Sequence, residues 1–228
     1  MVKELANIVE LLRRRYGAID KSKFIAQVVR GKSLFEFLVA VMLSQNTSDV
    51  NAIKAYERLK KKLSGEITPK KILDTDLEEL VEAIKPAGMY RQRALRIKEL
   101  AEIFSKPGFV DELLETISND DVENARRILM GLPGIGAKTA DVVLLMYFGK
   151  PTFPVDTHIT RITKRLGYLD RTSYEDIRRF WMKILKPEDY LEAHLLLITH
   201  GRLTCKARNP GCSDCVLKRY CKYYLSRK

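Results

Sequence analysis

The sequence predicts an all-α protein, and three observations support that fold class. Apolar residues recur at spacings of three and four through most of the chain, which is typical of helices with one buried face. Alternating strand patterns are scarce, and the segment KPTFPV (150–155) contains two prolines that disfavour a central strand. Hydrophobic residues make up 46% of the 228 positions, enough for a sizeable core, and no internal repeat is found.

The individual helices follow from this periodicity and from the residues that interrupt it. An amphipathic helix is predicted within residues 1–17, with Leu5, Ile8, Val9 and Leu12 on one face. Further helices are predicted over 34–43, 49–63, 76–84, 91–104, 120–130 and 137–148. Breaks fall at 65, 86–88, 107–108 and 133–136, where glycine and proline occur. Thr47 or Ser48 is expected to cap the 49–63 helix, and Ser118 or Asp120 the 120–130 helix.

The net charge indicates a partner class without identifying it. Forty-one Lys and Arg residues against 29 Asp and Glu residues give a net charge of +12. Basic residues cluster at 13–15, 60–62, 91–96, 161–165 and from 206 onward, which favours a polyanion; a solvated, lysine-rich surface is the alternative. No apolar stretch reaches 18 residues and the N-terminus lacks a signal-peptide pattern, so we expect an intracellular protein without membrane contact.

Lys138 occupies an unusual place in the segment GLPGIGAKTADVVLLMYFG (131–149). Gly134 and Gly136 flank a tight turn, and Lys138 follows in the first turn of the next helix. The helix dipole is positive there and disfavours a cation by roughly 0.3–1 kcal/mol. The glycines let backbone N–H groups approach a phosphate closely, so either a phosphate anchor or a reactive amine would account for this lysine.

The four cysteines lie close together near the end of the chain. Cys205, Cys212, Cys215 and Cys221 have the spacing C-x6-C-x2-C-x5-C. A disulfide knot is unexpected in an intracellular chain, whereas four thiolates can bind Zn²⁺ or an iron–sulfur cluster. Structural zinc sites usually combine two short Cys-x-x-Cys pairs, so the single short pair favours the cluster.

Four motifs together resemble the endonuclease III family of DNA glycosylases. LPGIGAKTADVV (132–143) resembles its helix-hairpin-helix, and PVDTHITRI (154–162) resembles the segment that carries its aspartate. The cysteine spacing matches its [4Fe–4S] loop, and LVAVMLSQNTSDVNA (38–52) looks like its loop facing the DNA minor groove. The motifs span most of the chain, and their combination is far more specific than a helix-hairpin-helix alone.

The resemblance implies two interlocked helical domains with a DNA groove between them. A six-helix barrel would occupy residues 23–148 and contain the helix-hairpin-helix at about 121–148. A discontinuous iron–sulfur domain would combine residues 1–22 with 149–228. We would then expect the chain to leave the second domain and return to it, which explains why composition shows no linker.

The resemblance also implies roles for two residues. The amine of Lys138 would displace a damaged base at C1′ of deoxyribose and form a Schiff base, after which β-elimination cuts the strand. Asp156 would stabilise oxocarbenium character and help to deprotonate that amine; helix N-capping is its other interpretation, and both roles can coexist. Adenine-removing relatives carry glutamate at the position of Ala40 and serine at that of Lys138, which argues against that specificity.

The remaining candidate residues would contact DNA. Gln45 and Asn46 compete to fill the gap left by an extruded base, because Asn46 stands at the family's glutamine position. Met89 or Tyr90 is a second candidate wedge, although core packing of Met89 is an equal alternative. Arg91 and Arg93 are expected on phosphates; His158 is either a groove contact or a packed loop histidine. The backbone around Gly134 and Gly136, with the side chains of Lys206 and Arg208, would hold phosphates.

The sequence therefore predicts a bifunctional DNA glycosylase and abasic-site lyase that excises oxidised pyrimidines in base excision repair. Its expected cofactor is one [4Fe–4S] cluster, and its expected partner is double-stranded DNA with a damaged base or an abasic site. We expect a cytoplasmic, nucleoid-associated monomer. Two alternatives remain: a mismatch thymine or uracil glycosylase on the same fold, and a non-catalytic helix-hairpin-helix DNA binder with a redox cluster.

Overall fold

The computed structural model describes residues 7–226, and within that range every regular element is helical. The all-α prediction is therefore confirmed. The predicted N-terminal helix is observed as α1, Ile8–Tyr16, whereas Leu5 lies outside the described residues. None of the helices within residues 7–226 has the length and apolarity needed to cross a membrane.

The chain divides into two compact units, and the first comprises Lys21–Lys150. Its helices are α2 (Ile25–Val28), α3 (Leu34–Leu43), α4 (Asp49–Lys62), α5 (Pro69–Asp74), α6 (Leu77–Ile84), α7 (Tyr90–Phe104), α8 (Phe109–Asn119), α9 (Val122–Met130) and α10 (Ala137–Met146). The second unit contains the described residues up to Asp20 and from Pro151 onward. It holds α1, α11 (Thr157–Leu166), α12 (Tyr174–Ile184), α13 (Tyr190–Leu203) and α14 (Lys222–Leu225).

Helix α3 lies at the centre of the first unit. All ten of its residues, LFEFLVAVML, are buried, so the helix is surrounded on every side rather than packed by one face. Its N-terminus is capped by Ser33, whose hydroxyl accepts a hydrogen bond from the N–H of Glu36 at 3.2 Å. The Glu36 carboxylate in turn accepts a 2.6 Å hydrogen bond from the buried hydroxyl of Tyr56 on α4. Burial raises the pKa of that tyrosine, with the Glu36 hydrogen bond as the next cause.

The predicted helix start signals are correct at one position and wrong at another. Ser48 caps α4 by accepting from the N–H of Asn51 at 3.3 Å, as expected. Neither Ser118 nor Asp120 caps α9, because α8 continues to Asn119 and Asp120 ends it. The cap is Asp121, whose carboxylate accepts from the two first-turn N–H groups of α9 at 2.8 and 3.0 Å.

The second unit packs around an aromatic centre. The indole N–H of Trp181 on α12 donates to Thr163 on α11 at 2.9 Å. The same ring stacks on Phe153, with a centroid separation of 5.9 Å. Arg13 of α1 forms hydrogen bonds of 2.8 and 2.7 Å to the two carboxylate oxygens of Glu192 on α13. This basic residue is therefore paired within its unit.

Candidate active site

Helices α9 and α10, with the turn at 131–136, form a helical hairpin in the first unit. Gly134 has φ of +75°, a left-handed backbone conformation that favours glycine, and a Cβ atom there would lie 2.8 Å from Cε at the end of the Met42 side chain. Gly136 has an extended backbone and is the N-cap of α10. A Cβ at Gly136 would meet no heavy atom within 4 Å, so this side of the turn is open to an incoming group.

Lys138 lies in the first turn of α10, as the sequence predicted, and is partly exposed. This turn contains no acidic residue, and no side chain caps it. By contrast, seven described helices have a side-chain cap, namely Ser33, Ser48, Thr68, Asp76, Asp121, Asp156 and Ser173. The first turn of α10 thus lacks the side-chain acceptor that those seven helices have, and its dipole disfavours the charged form of Lys138.

Gln45 and Asn46 are neighbours in the loop after α3, but their side chains have different environments. The side-chain amide of Gln45 donates to the Gly134 carbonyl at 2.8 Å and to the Thr139 hydroxyl at 3.1 Å. Asn46 is exposed and has a left-handed backbone with φ of 54°. The Gln45 side chain is therefore bound to the hairpin, whereas Asn46 lies on the surface.

Residues 87–94 change two of the sequence interpretations. Met89 is 56% exposed and also has a left-handed backbone. The alternative prediction, that Met89 packs in the core, is therefore wrong. Arg93 was expected on a phosphate but is buried, which is a correction. Its guanidinium donates to the carbonyls of Leu43 at 3.1 Å and Gln45 at 2.7 Å. Arg91 is exposed and forms an ion pair of 2.9 Å with Glu78.

Asp156 and His158 lie at the start of α11 in the second unit. Asp156 is the N-cap, and its carboxylate accepts from the N–H of Ile159 at 2.8 Å. His158 is half-buried, and its Nδ1 lies 3.0 Å from the guanidinium of Arg161. A Cβ at Gly201 would lie 2.6 Å from the Cβ of His158, so the two helices α11 and α13 meet closely there. Burial lowers the pKa of His158.

All four cysteines line one pocket. Each is partly buried and none forms a disulfide. Burial raises the pKa of the Cys215 thiol to about 11, so a bound cation would have to displace its proton. No three His, Cys, Asp or Glu side chains within residues 7–226 are grouped closely enough to hold a single metal ion. The shared pocket and the thiol chemistry fit a group that is bound at four points.

The arginines of the 161–165 basic group hold the cysteine loop. Arg161 donates to the carbonyls of Cys205 and Gly201, each at 2.9 Å. Arg165 donates to Cys205 Sγ at 3.2 Å and to the carbonyls of Lys206 and Ala207 at 2.7 and 3.1 Å. These hydrogen bonds give both arginines a structural role, and contact of this basic group with a polyanion stays a prediction. Lys206 and Arg208, between the first two cysteines, are exposed.

Sequence reasoning missed Arg93, Arg161 and Arg165 as residues that support the site. Each carries a charge, and a charge in the sequence indicates a surface position unless a partner is known. Most of the partners here are backbone carbonyls, which every residue has, so no pattern in the sequence reveals them. The only available signal was position: Arg161 and Arg165 follow Asp156 at spacings of five and nine, which place them on successive turns of one helix.

Comparisons with known proteins identify the family of the chain. Residues 39–187 match the family model of the HhH-GPD superfamily base excision DNA repair protein. The chain is 40% identical over 225 residues to Endonuclease III of Sulfolobus acidocaldarius, covering 97% of each protein. It is 37% identical over 191 residues to Endonuclease III of Escherichia coli K12, covering 84% of each. A solved structure of a trapped Endonuclease III–DNA covalent intermediate is similar across 100% of this chain and 98% of its own, with 31% identity and a TM-score of 0.80.

Proposed function

Because the chain belongs to the HhH-GPD superfamily of base excision DNA repair proteins, we propose that Lys138 is its catalytic nucleophile. Its relatives are DNA glycosylases with abasic-site lyase activity, and this chain is an enzyme of that class. The observation that carries the residue assignment is a partly exposed amine in an uncapped first helical turn. That position favours the neutral amine that nucleophilic attack requires.

The proposed reaction proceeds in two stages at one nucleotide. The nitrogen of Lys138 bonds to C1′ as the glycosidic bond breaks, and the base leaves with the bonding electron pair and takes up a proton. Opening of the sugar ring then gives an iminium between Lys138 and C1′. The iminium acidifies the C2′ proton, and loss of that proton breaks the C3′–O bond and cuts the strand 3′ to the lesion. Hydrolysis of the iminium restores the amine.

Two further groups assist this reaction in our proposal. Asp156 stabilises the positive charge that develops on the sugar and accepts the proton of Lys138. Its carboxylate accepts one backbone hydrogen bond as an N-cap, and the second oxygen of a carboxylate can serve this additional role. The backbone of the turn at Gly134 and Gly136, which is open to an incoming group at Gly136, binds a phosphate and so positions the strand without reading its sequence.

Asn46 and Met89 are the residues that we propose to probe the damaged base pair. Both are exposed and both have left-handed backbones, with φ of 54° and 48°. Non-glycine residues in that conformation cost of order 1–3 kcal/mol each and are concentrated at functional sites. Gln45 supports the loop, whereas Arg91 and His158 remain candidates for contacts with the DNA backbone.

A [4Fe–4S] cluster bound by Cys205, Cys212, Cys215 and Cys221 is part of the proposal. When bound, it would supply four iron–thiolate bonds that close the cysteine loop. Base removal and β-elimination transfer no net electrons, so the proposed role of the group is to hold the loop. Lys206 and Arg208 between the first two ligands would then meet phosphates at a smaller entropic cost.

The proposed substrate is double-stranded DNA that contains an oxidised pyrimidine or an abasic site, bound by a monomer in the cytoplasm at the nucleoid. Excision assays on duplexes with thymine glycol, uracil, 8-oxoguanine or a T:G mismatch would establish the range. Rapid excision of thymine from the T:G mismatch, without excision of thymine glycol, would show that the enzyme is a mismatch glycosylase instead.

Borohydride trapping tests the nucleophile. Wild-type protein mixed with abasic-site DNA and borohydride should form a covalent adduct. Lys138→Ala should form none while its Kd for an abasic analogue stays within about threefold. Lys138→Arg is the matched control, because it keeps the positive charge but cannot form the iminium. An adduct of wild-type yield in either variant would place the nucleophile elsewhere.

A further inference from the structure

Three regions that are far apart in the sequence meet at two side chains of the first unit. They are the loop after α3, the segment 87–89 before α7, and the hairpin turn before Lys138. We propose that Gln45 and Arg93 are positioning residues: a strut that holds Lys138 in register with the two damage-probing residues, Asn46 and Met89. This inference rests on the proposed function and concerns how its residues are held together.

The Gln45 amide joins the probing loop to the hairpin. Its single nitrogen has two hydrogens, and both are donated, to the Gly134 carbonyl at 2.8 Å and to the Thr139 hydroxyl at 3.1 Å. Gly134 precedes Lys138 by four residues and Thr139 follows it directly. The amide therefore holds the chain on both sides of Lys138, at the turn and at the first turn of α10.

Arg93 joins the same loop to the second probing residue. Its guanidinium lies against the C-terminus of α3 and donates to the carbonyls of Leu43 and Gln45. A third carbonyl, that of Ala87 at 3.5 Å, lies two residues before Met89. The side chain is 6% exposed, so the bonds are made largely out of water, where they are stronger. Two nitrogens of one planar guanidinium reach the three carbonyls, whereas a lysine ammonium would have to donate to all three from a single nitrogen.

The strut accounts for the conformations of Asn46 and Met89. Left-handed backbones at non-glycine residues persist only when neighbouring structure fixes them. Arg93 binds the carbonyl directly before Asn46, and it lies near the carbonyl two residues before Met89. Arg93 therefore holds both probing residues, and Gln45 connects them to Lys138. Because the same side chains hold the probing residues and Lys138, the position that inserts the probes into a base gap also places the amine at C1′.

Single-turnover cleavage of abasic-site DNA at saturating enzyme tests the Gln45 half of the strut. Gln45→Leu fills similar space but donates no hydrogen bond. We expect its rate constant to fall about 10- to 100-fold, because a small misplacement of reacting groups has that effect. Its Kd for an abasic analogue should stay within about threefold, and its final borohydride adduct should equal that of wild type. An unchanged rate constant, or a loss confined to Kd, would overturn the inference.

Thr139→Val shows whether the effect passes through this contact. It removes one of the two acceptors of the Gln45 amide, so we expect a smaller loss of rate than for Gln45→Leu. The double variant should be no slower than Gln45→Leu alone, because both changes break the same link. Fully additive losses would mean that the two residues act separately, which contradicts the strut. Tyr56→Phe is the stability control: it breaks a buried hydrogen bond of the same unit and should leave the rate unchanged.

Arg93→Lys tests the other half with a different readout. The variant keeps a cation but loses simultaneous contact with the three carbonyls. The ratio of Kd for undamaged duplex to Kd for an abasic analogue should fall about 10-fold, because loosened probes no longer recognise the gap. An unchanged ratio in a folded variant would overturn this half. A wild-type protein that forms no borohydride adduct would overturn the proposed function itself, whereas wild-type trapping with an unaffected Gln45→Leu would overturn only the strut.

Discussion

The hairpin of the first unit and the cysteine segment of the second, residues 205–221, are held in opposite ways. Seven of the ten residues of α10 are buried, so the hairpin is an extension of the hydrophobic core. In the cysteine segment, all of which the structure describes, Leu217 is the one buried residue. Hydrogen bonds from Arg161 and Arg165 also hold this segment, and its four thiols line one pocket. The hairpin is stabilised by packing, whereas the cysteine segment has little packing and would depend on the cluster that we propose.

This difference shows what fixes the position of the chain in each region. A packed core has few alternatives because any shift opens a cavity or causes a clash. A loop with one buried side chain has no such restoring force, so its order depends on links made at its ends. Four variants test core packing and loop links separately, from the largest expected effect on stability to the smallest.

Removal of one thiol should have the largest effect. Cys215→Ala takes away one of four predicted ligands, and structural metal sites contribute on the order of 10 kcal/mol to folding. We expect iron to fall from about four per chain to below one, and Tm to fall by more than about 10 °C. Ser213→Ala, on the same segment but outside the pocket lining, should change neither value. A Cys215→Ala protein with wild-type Tm would show that the segment is stable without the group.

A cavity in the hairpin should have the next largest effect and leave the metal unchanged. Leu129 on α9 is fully buried, and Leu129→Ala should lower the free energy of unfolding by about 2–5 kcal/mol. Denaturant unfolding measures the loss, and iron per chain should equal that of wild type. The adjacent Met130 is 44% exposed, so Met130→Ala should lose less than about 1 kcal/mol. Loss of iron from Leu129→Ala would contradict the separation of the two regions.

Loss of the Arg165 guanidinium should have an intermediate effect on stability, confined to the cysteine segment. Arg165 binds Cys205 Sγ and two loop carbonyls, and its guanidinium lies 4.9 Å from the centroid of the Tyr223 ring. Arg165→Lys keeps the charge but not the planar fork, and should cost roughly 1–3 kcal/mol. Iron extraction by a chelator should be about 10-fold faster than from wild type. Lys164→Ala, at the exposed neighbouring position, should be extracted at the wild-type rate; equal rates for all three proteins would refute the prediction.

The loop cations should affect DNA binding and almost nothing else. Lys206 and Arg208 are exposed, so replacing both by alanine should change the free energy of unfolding by less than about 0.5 kcal/mol. If each contacts one phosphate, the slope of log K against log salt should decrease by about 0.9 per residue. Lys183→Ala with Lys186→Ala is the control, since it removes the same charge from other exposed positions. Identical slopes for both double variants would mean that the cysteine loop does not contact the DNA backbone.

The sequence by itself determined the features that depend on short stretches of chain. The apolar segment LFEFLVAVML predicted α3 at 34–43 to the residue, because the hydrophobicity of neighbouring residues is a local property of the chain. Ser48 was one of the two predicted caps of α4, with Thr47, because the donor that a cap binds is only three residues away. The same reasoning predicted that Lys138 lies in the first turn of α10. The preference for a cluster over zinc, from the cysteine spacing, stays a prediction.

Only the tertiary structure decided which side chains face inward and what they bind. Nothing in the segment SQNTSD distinguishes Gln45 from Asn46, because the acceptors of Gln45 are 89 and 94 residues away. Arg93 belongs to a basic run typical of a surface, but it is buried against carbonyls, including one 50 residues away. Arg165 binds partners 40 to 42 residues further along the chain. Periodicity and capping are local, whereas burial and the choice of a hydrogen-bond partner are set by segments that meet only when the chain has folded.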